Sequence, residues 1–330
     1  MRVDVIHARE LSPDLRAAWT NAQGSHEQFS SPFFCPEFTA AVGAVRDDVR
    51  IALLESDGAA GFFPFELAAP RVGRPAGGRL SDYQGVIAPP ELQWNAEELL
   101  QHCELDRYHY KRLIGSQQQF QAYHSAFACS VLMDLGGGFD AYAERLRLSG
   151  SGVLNKVAAY RRCMNRDVGP VRYEACSNSA EVRRWLFACK SSQYLRTGYD
   201  DKFQTPWIRN LLELLHTTGD AVFGGMLSVL WAGDRIAAAH LGLRWKDTLH
   251  YWWPCYDTRL GRYSPGLILL VEMARRAALS GISQIDLGRL DAPYKRRFMT
   301  GNVAIAEGVA IAKAPQCGET ESGRANLARV

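Results

Sequence analysis

The sequence predicts a mixed α/β (α+β) fold built from two similar units, and three observations carry that prediction. A length of 330 residues corresponds to about two domains at roughly 150 residues each. The C-terminal half reads helix, helix, strand, strand, strand, helix, strand, helix, strand, unlike the strand–helix alternation of a doubly wound dinucleotide fold. The turn Asp57-Gly58, followed by Ala59-Ala60-Gly61-Phe62, is echoed at Gly233-Asp234, followed by Arg235-Ile236-Ala237-Ala238-Ala239-His240. Both read as strand, tight turn, and a second strand that starts small and becomes bulky. The expected organisation is a first unit at 1–150, a second at 151–313, and a disordered polar tail at 314–330.

In order, Pro13 to Trp19 is helix-like, and Pro36 opens a helix running toward Val45. Val49 to Glu55 and Ala60 to Leu67 flank Asp57-Gly58, a dipeptide that tolerates the positive φ of a hairpin turn. Pro64 suggests that the outgoing strand is an edge or a strand end. Arg71 to Pro90, rich in glycine and proline, reads as an irregular loop with a short strand at Gly85 to Ala88. A helix near Asn95 to Cys103 precedes strands at Tyr108 to Ile114 and Val131 to Leu135. Gly136-Gly137-Gly138 then serves as a linker, since it lacks the spacing of a phosphate loop.

Phe139 to Leu148 and Val153 to Arg166 read as helices, and Arg162 and Arg166 share a face at i, i+4 spacing. A solvated face and a contact with a phosphate-bearing substrate both fit that pair. Val171 to Ala175 is a strand, and Ala180 to Arg196 repeats apolar residues at Val182, Trp185, Leu186 and Cys189, a one-sided helical stripe. Trp207 to His216 is another helix, followed by strands at Ala221 to Trp231, Arg235 to Leu243 and Thr248 to Tyr256. Ser264 as N-cap, Pro265 at the first helical position and Gly281 at the stop bound the best-punctuated helix. Gln284 to Leu287 is a short strand, a short helix follows Pro293, and Val303 to Ala312 is the final strand.

Composition narrows the function. With 38 basic and 35 acidic side chains the formal charge is +3, too small for a continuous track along nucleic acid, so DNA is excluded as a partner. No run reaches the roughly 20 apolar residues of a spanning helix, and Met1 to Arg9 carries no secretion block. The expected location is cytoplasmic, with no transmembrane segment. Cysteines at 35, 103, 129, 163, 176, 189, 255 and 317 show no C-x-x-C pair or zinc spacing. All are expected to be reduced thiols, Cys189 and Cys255 acting as small hydrophobes, with no metal.

The three-strand meander places the free N–H groups of the Ser264 helix at the end of the third strand, where an anion can bind. Arg259 and Arg262 stand beside it in Asp257-Thr258-Arg259-Leu260-Gly261-Arg262-Tyr263-Ser264-Pro265-Gly266. Dipole, amides and guanidinium would all favour a pyrophosphate there, and an ordinary capped helix is the alternative.

Several runs, in order, carry a family resemblance. They are Gly224-Gly225-Met226-Leu227-Ser228-Val229-Leu230, Ile236 to Leu243, Tyr251-Trp252-Trp253-Pro254-Cys255-Tyr256-Asp257, Ser264-Pro265-Gly266, and Ile285-Asp286-Leu287-Gly288-Arg289 with Tyr294-Lys295. Together the chain resembles the CelD/BcsL-type acyltransferases of the GNAT superfamily (Acetyltransf_6-like), relatives of the Fem-type peptidyltransferases. The resemblance is strongest over Val153 to Ala312. Ser31-Pro32-Phe33-Phe34 and Leu80-Ser81-Asp82-Tyr83-Gln84-Gly85 are similar to the family's first half.

The resemblance implies a tandem GNAT-like acyl-CoA N-acyltransferase fold, with mixed, mostly antiparallel sheets flanked by helices. It implies acyl-CoA or acetyl-CoA as co-substrate, bound between splayed strands, with Arg262, Tyr263, Ser264, Pro265 and Gly266 at the pyrophosphate. The loop differs from the superfamily's Q/R-x-x-G-x-G/A in having Pro265 where the first glycine belongs.

Acyl transfer to an amine needs a base, donors to the oxyanion and an acid for the thiolate. His240, interrupting an apolar strand, is the candidate base, with a structural histidine as the rival reading. Asp286 could orient the base or substrate, or cap the following turn. Tyr294 is the candidate acid, against core packing. Tyr256, Asp257, Trp252, Arg289 and Lys295 are candidate substrate contacts. Trp252 and Trp253 are expected on opposite sides of their strand, one in the core and the other free to wall an acyl channel.

The expected activity is acyl-CoA-dependent N-acyl transfer, or O-acyl transfer in second place. The acceptor is a small molecule, lipid or sugar from cell-envelope, polysaccharide or lipid-precursor synthesis, met at the inner face of the membrane, with an envelope-synthesis complex as a partner. A Fem-type transferase using aminoacyl-tRNA gains from the basic helix at Lys156 to Arg166 but loses from the lack of a coiled-coil arm and the near-neutral charge. A catalytically silent GNAT-fold binding subunit is the third reading.

Overall fold

A computed structural model describes residues 1–56 and 58–312. Asp57, Cys317 and the predicted tail lie outside the described residues. The first half contains β1 (Arg2–His7), α1 (Pro13–Gly24), α2 (Pro36–Val45), β2 (Val49–Ser56), β3 (Ala59–Ala69), β4 (Val72–Pro75), α3 (Ala96–His102), β5 (Arg107–Ile114), β6 (His124–Asp134) and α4 (Gly138–Leu148). The second contains α5 (Val153–Asp167), β7 (Val171–Glu174), α6 (Ala180–Thr197), α7 (Pro206–Thr217), β8 (Phe223–Ala232), β9 (Arg235–Trp245), β10 (Thr248–Tyr256), α8 (Pro265–Leu279), β11 (Gln284–Arg289), α9 (Pro293–Phe298) and β12 (Gly301–Ile311).

The strands of the described residues form one twelve-stranded sheet in the order β1-β2-β3-β4-β5-β12-β6-β11-β10-β9-β8-β7. Each half supplies an antiparallel meander ending in a parallel pair, β4 with β5 and β10 with β11. The echoed hairpins are real, with Ser56 opposite Ala59 and Ala232 opposite Arg235. The halves then exchange strands: β12 lies between β5 and β6, and β6 pairs with β11. The boundary at 150/151 therefore separates segments of chain, while the sheet runs continuously across it.

Alternation of side chains along each strand sorts the core into layers. On one face α1, α2, α6 and α7 cover both halves with a shared cluster that includes Trp19, Phe34, Phe38, Leu186, Leu211 and Leu241. On the other face, α4, α5 and α8 pack over the second half through Tyr142, Met164 and Leu269, and α3 packs over the first through Leu99 and Leu100. The α7 stripe Ile208, Leu211, Leu212, Leu215 follows the i, i+3, i+4, i+7 pattern and is wholly buried.

Several expectations are corrected. Charge in the first residues hid β1, an edge strand with three of its six residues exposed and the other three half-buried. Pro64 sits in an interior strand opposite Ile51. The Phe62 N–H points to Ile87 O, so Pro64, two residues on, lacks its N–H on that same side, where pairing with β4 begins only at Phe65.

Trp252 and Trp253 share a face. The register of β10 shifts between His250 and Trp253, two residues facing the single Gly242, and this bulge turns both rings toward the shared cluster at 5.5 Å from each other.

Cys189 and Cys255 form a disulfide, not two reduced thiols; α6 packs on β10 with their Cα atoms 6.3 Å apart. Sequence spacing could not show this, because the pair is 66 residues apart.

Gly308 tests the tightness of the exchanged strand. An added Cβ would meet the Tyr123 carbonyl and stand 2.6 Å from the Tyr110 hydroxyl. Gly308→Ala is expected to destabilise the fold by about 1–3 kcal/mol in chemical denaturation. An unchanged midpoint would mean that β12 can shift in its slot.

Candidate functional site

The site begins where two strands part. β10 and β11 pair in parallel at Thr248–Gln284, Leu249–Ile285 and His250–Asp286, and pairing stops there. On its far side β10 bulges against β9, and β11 shifts register against β6 between Asp286 and Arg289. Gly288 turns the chain at φ +74, a value that suits glycine, and its N–H donates to Asp286 Oδ1 at 2.7 Å. Both strands are thus bent away from each other just after the last shared pair.

Two cavities meet at this split. One, of about 340 Å³, lies toward the start of α8 and is lined by Tyr251, Pro254, Tyr256, Ser264, Gly266 and Tyr294 among others. The other, of about 360 Å³, lies toward the first half, with Asp82, Arg112, Lys190, Trp252 and Gly288 on its walls. Gln193, Tyr251, Pro254 and Tyr294 line both.

Beneath the second cavity is a buried polar chain drawn from both halves. His250 Nε2 and Asp82 Oδ2 are 2.8 Å apart, and His250 Nδ1 lies 3.6 Å from Asp286 Oδ1. Asp286 also accepts from Ser130 Oγ at 2.6 Å. Arg112 Nε stands 3.2 Å from Asp82 Oδ1. The His250 side chain is fully buried, while Asp82 retains 18% exposure and reaches the cavity wall. Burial opposes ionisation of Asp82, but the His250 hydrogen bond and the charges of Arg112, His250 and Lys295 outweigh it, so its pKa lies below the usual value.

The sequence did not single out Asp82 and His250. Asp82 stood in a resembling motif without a role. His250 gives the same signal as His240, a histidine inside an apolar strand, and only the fold separates them.

His240 is fully buried, its ring stacked on Tyr251 at 4.3 Å, and neither ring nitrogen has a hydrogen-bond partner among the described residues. Burial first, then His250 and Lys190, pull its pKa down to about 3. It stands behind the cleft and off the lining of both cavities. Asp286 is where the strands part, and it both caps the Gly288 turn and neighbours His250.

Tyr294 stands at the junction of the cavities, its pKa raised by burial and by Asp291. Trp252, Arg289 and Lys295 line the second cavity; Trp252 Nε1 donates to Leu80 O at 3.1 Å, and Lys295 pairs with Asp291 at 2.7 Å. Tyr256 lines the first cavity, whereas Asp257 holds Arg259 in a neighbouring recess.

The α8 tip is only partly met by its predicted set. Ser264 and Gly266 line the first cavity. Ser264 adopts φ +48 and its side chain makes no cap bond. Pro265 and Tyr263 are buried, and Arg262 is engaged with Tyr263, whose hydroxyl donates to Asp167 at 3.1 Å. The tip therefore offers backbone amides and a glycine with no side chain, and Arg262 is turned elsewhere. Among the described residues, no cluster of three or more His, Cys, Asp or Glu is placed to hold a metal, and no helix is long and apolar enough to cross a membrane.

A parallel pair that splays beside a bulged strand, repeated scaffolding in both halves, and a helix starting at the split make up a tandem GNAT-like fold. Residues 153–296 match the acetyltransferase (GNAT) domain family. The fold is similar to FemX (TM-score 0.57, 10% identity, covering 94% of this chain and 96% of that one). It is also similar to a tandem GNAT protein from the clavulanic acid biosynthesis pathway (0.53, 8%, 95% and 100%). A third similar structure is the C-terminal domain of a putative lysylphosphatidylglycerol synthetase from Agrobacterium fabrum (0.54, 12%, 88% and 90%). No curated protein matches the chain.

Proposed function

We propose that the chain transfers an acyl group from acyl-CoA to an amine of a cell-envelope, polysaccharide or lipid-precursor acceptor. The observation that carries this reading is the end of β10–β11 pairing at His250 and Asp286, which opens two cavities onto one point. The donor fits the first cavity: Gly266 presents backbone with no side chain in the way, and Ser264 and Tyr256 complete the wall. Acyl-CoA, when bound, supplies an activated thioester carbonyl.

The acceptor enters from the second cavity, where Asp82 is the carboxylate anchored by His250 and Arg112. As the amine nitrogen bonds to the carbonyl carbon and the C–S bond breaks, Asp82 takes the proton from nitrogen and the Tyr294 hydroxyl protonates the departing sulfur. His250 positions Asp82, and Asp286 steadies His250. The raised pKa of Tyr294 keeps it protonated at neutral pH, as an acid must be.

Calorimetry with acetyl-CoA and longer acyl-CoA, followed by thiol release with a panel of amines, tests the reading. Binding with thiol release supports it. Binding of charged tRNA without CoA would replace it with a Fem-type transfer. Tyr294→Phe is expected to lower kcat by about 10- to 100-fold with donor affinity unchanged; an unaltered kcat removes Tyr294 from the acid role.

A further inference from the structure

The second cavity has a strongly cationic wall. Arg79 and Arg112 come from the first half, Lys190 from α6, Lys202 from the turn before α7, Arg289 from β11 and Lys295 from α9. The carboxylates on the same wall are Asp82 and Asp291. Asp82 is taken by Arg112 and His250, Asp291 by Lys295, and Arg289 reaches Glu307 at 3.9 Å. Among the described residues Arg79, Lys190 and Lys202 have no ion-pair partner.

Lys190 makes the imbalance costly. It continues the buried stripe Val182, Leu186 of α6 and is 9% exposed. Its ammonium donates to Gln193 Oε1 at 3.1 Å and lies 5.8 Å from the ring centres of Tyr194 and Trp253. Burial and then repulsion from Lys202 and Lys295 pull its pKa down to about 8. A buried cation facing like charges across a cavity is stabilised by an anion placed among them. The first cavity has no charged side chain in its lining, so the cationic character belongs to the acceptor side.

We propose that the second cavity binds a phosphate group carried by the acceptor, faced by Arg79, Lys190 and Lys202. This rests on the acyl-transfer reading for the word acceptor, while the phosphate site itself does not. A carboxylate would bring one negative charge; a phosphate monoester brings about two and three acceptor oxygens, matching three unneutralised cations.

The test is calorimetric titration of inorganic phosphate into the full chain saturated with CoA. It compares the wild type with Lys202→Met, with Lys190→Met plus Lys202→Met, and with Arg2→Ala as a control for an exposed charge on the edge strand β1. The expected result is phosphate binding alongside CoA, weakened about 10- to 100-fold in the double variant, weakened less in Lys202→Met, and unchanged in Arg2→Ala. Lys202→Met, at a half-buried position, keeps the test decisive if the double variant does not fold.

Competition between phosphate and CoA, equal binding by the Lys202→Met and wild-type chains, or no phosphate binding overturns the proposal. If CoA fails to bind, the donor reading falls, and the same titration without CoA still decides the phosphate site. Displacement of the bound phosphate by O-phosphoethanolamine assigns the group to a soluble acceptor, and displacement by vesicles of phosphatidic acid, whose headgroup is a phosphate monoester, to a lipid headgroup. Displacement by neither counts against an acceptor phosphate.

Discussion

Asp82→Asn is expected to lower kcat by about 10²–10⁴-fold, the span of a lost general base, with donor affinity and melting temperature close to wild type. The amide keeps the size of the carboxylate and an oxygen for the His250 Nε2–H, so the buried histidine stays hydrogen-bonded. What is lost is the negative charge and proton affinity facing the cavity. Thiol release from acyl-CoA with an amine acceptor measures kcat, and a thermal melt controls for folding. A variant that turns over at the wild-type rate would remove Asp82 from the chemistry and leave it as a strut between the halves.

Acid should destabilise this protein through His240. An unfolded histidine titrates near 6.5, whereas burial holds His240 down to about 3 in the fold. Between those values the unfolded chain carries the extra proton, so stability is full above about pH 6.5 and falls as pH drops through the window. By pH 4.5 the loss is on the order of 2–3 kcal/mol at about 1.4 kcal/mol per pH unit. His250 and Lys190, the charged neighbours acting on this ring, push in the same direction. Denaturant midpoints for wild type and His240→Leu from pH 7 to 4.5 measure the effect, and the variant should show the flatter profile. Parallel profiles would mean that the folded protein protonates His240 at no cost.

Elements set by local chemistry were legible in the sequence. Pro265 and Gly281 bound α8, the glycine turns place both hairpins, and the α7 stripe names its buried face. What was not legible depends on partners distant in sequence. The Cys189–Cys255 bond needs α6 laid on β10, and the bulge that puts Trp252 and Trp253 on one face needs Gly242 opposite two residues.

The candidate site divides the same way. Asp286, Arg289, Tyr294 and Lys295 stand at the split on a short strand and a short helix that were read from the sequence, and Trp252 on the strand β10, which was read as well. His240 and His250 are each a single polar residue in an apolar strand. Periodicity does not say which of the two stacks behind Tyr251 and which meets a carboxylate 168 residues away. Arg262 shows the limit of reading charge from proximity in sequence, because a tyrosine and Asp167 claim its surroundings first.

The reciprocal placement of β6 and β12 has a consequence for how the molecule comes into being. β12 is synthesised after every other described strand, yet it fills the slot beside β5. During translation the opening half must wait with an unsealed seam until the closing residues emerge. Neither half on its own owns all the neighbours its sheet requires, so assembly and unfolding should each proceed as one event for the whole chain.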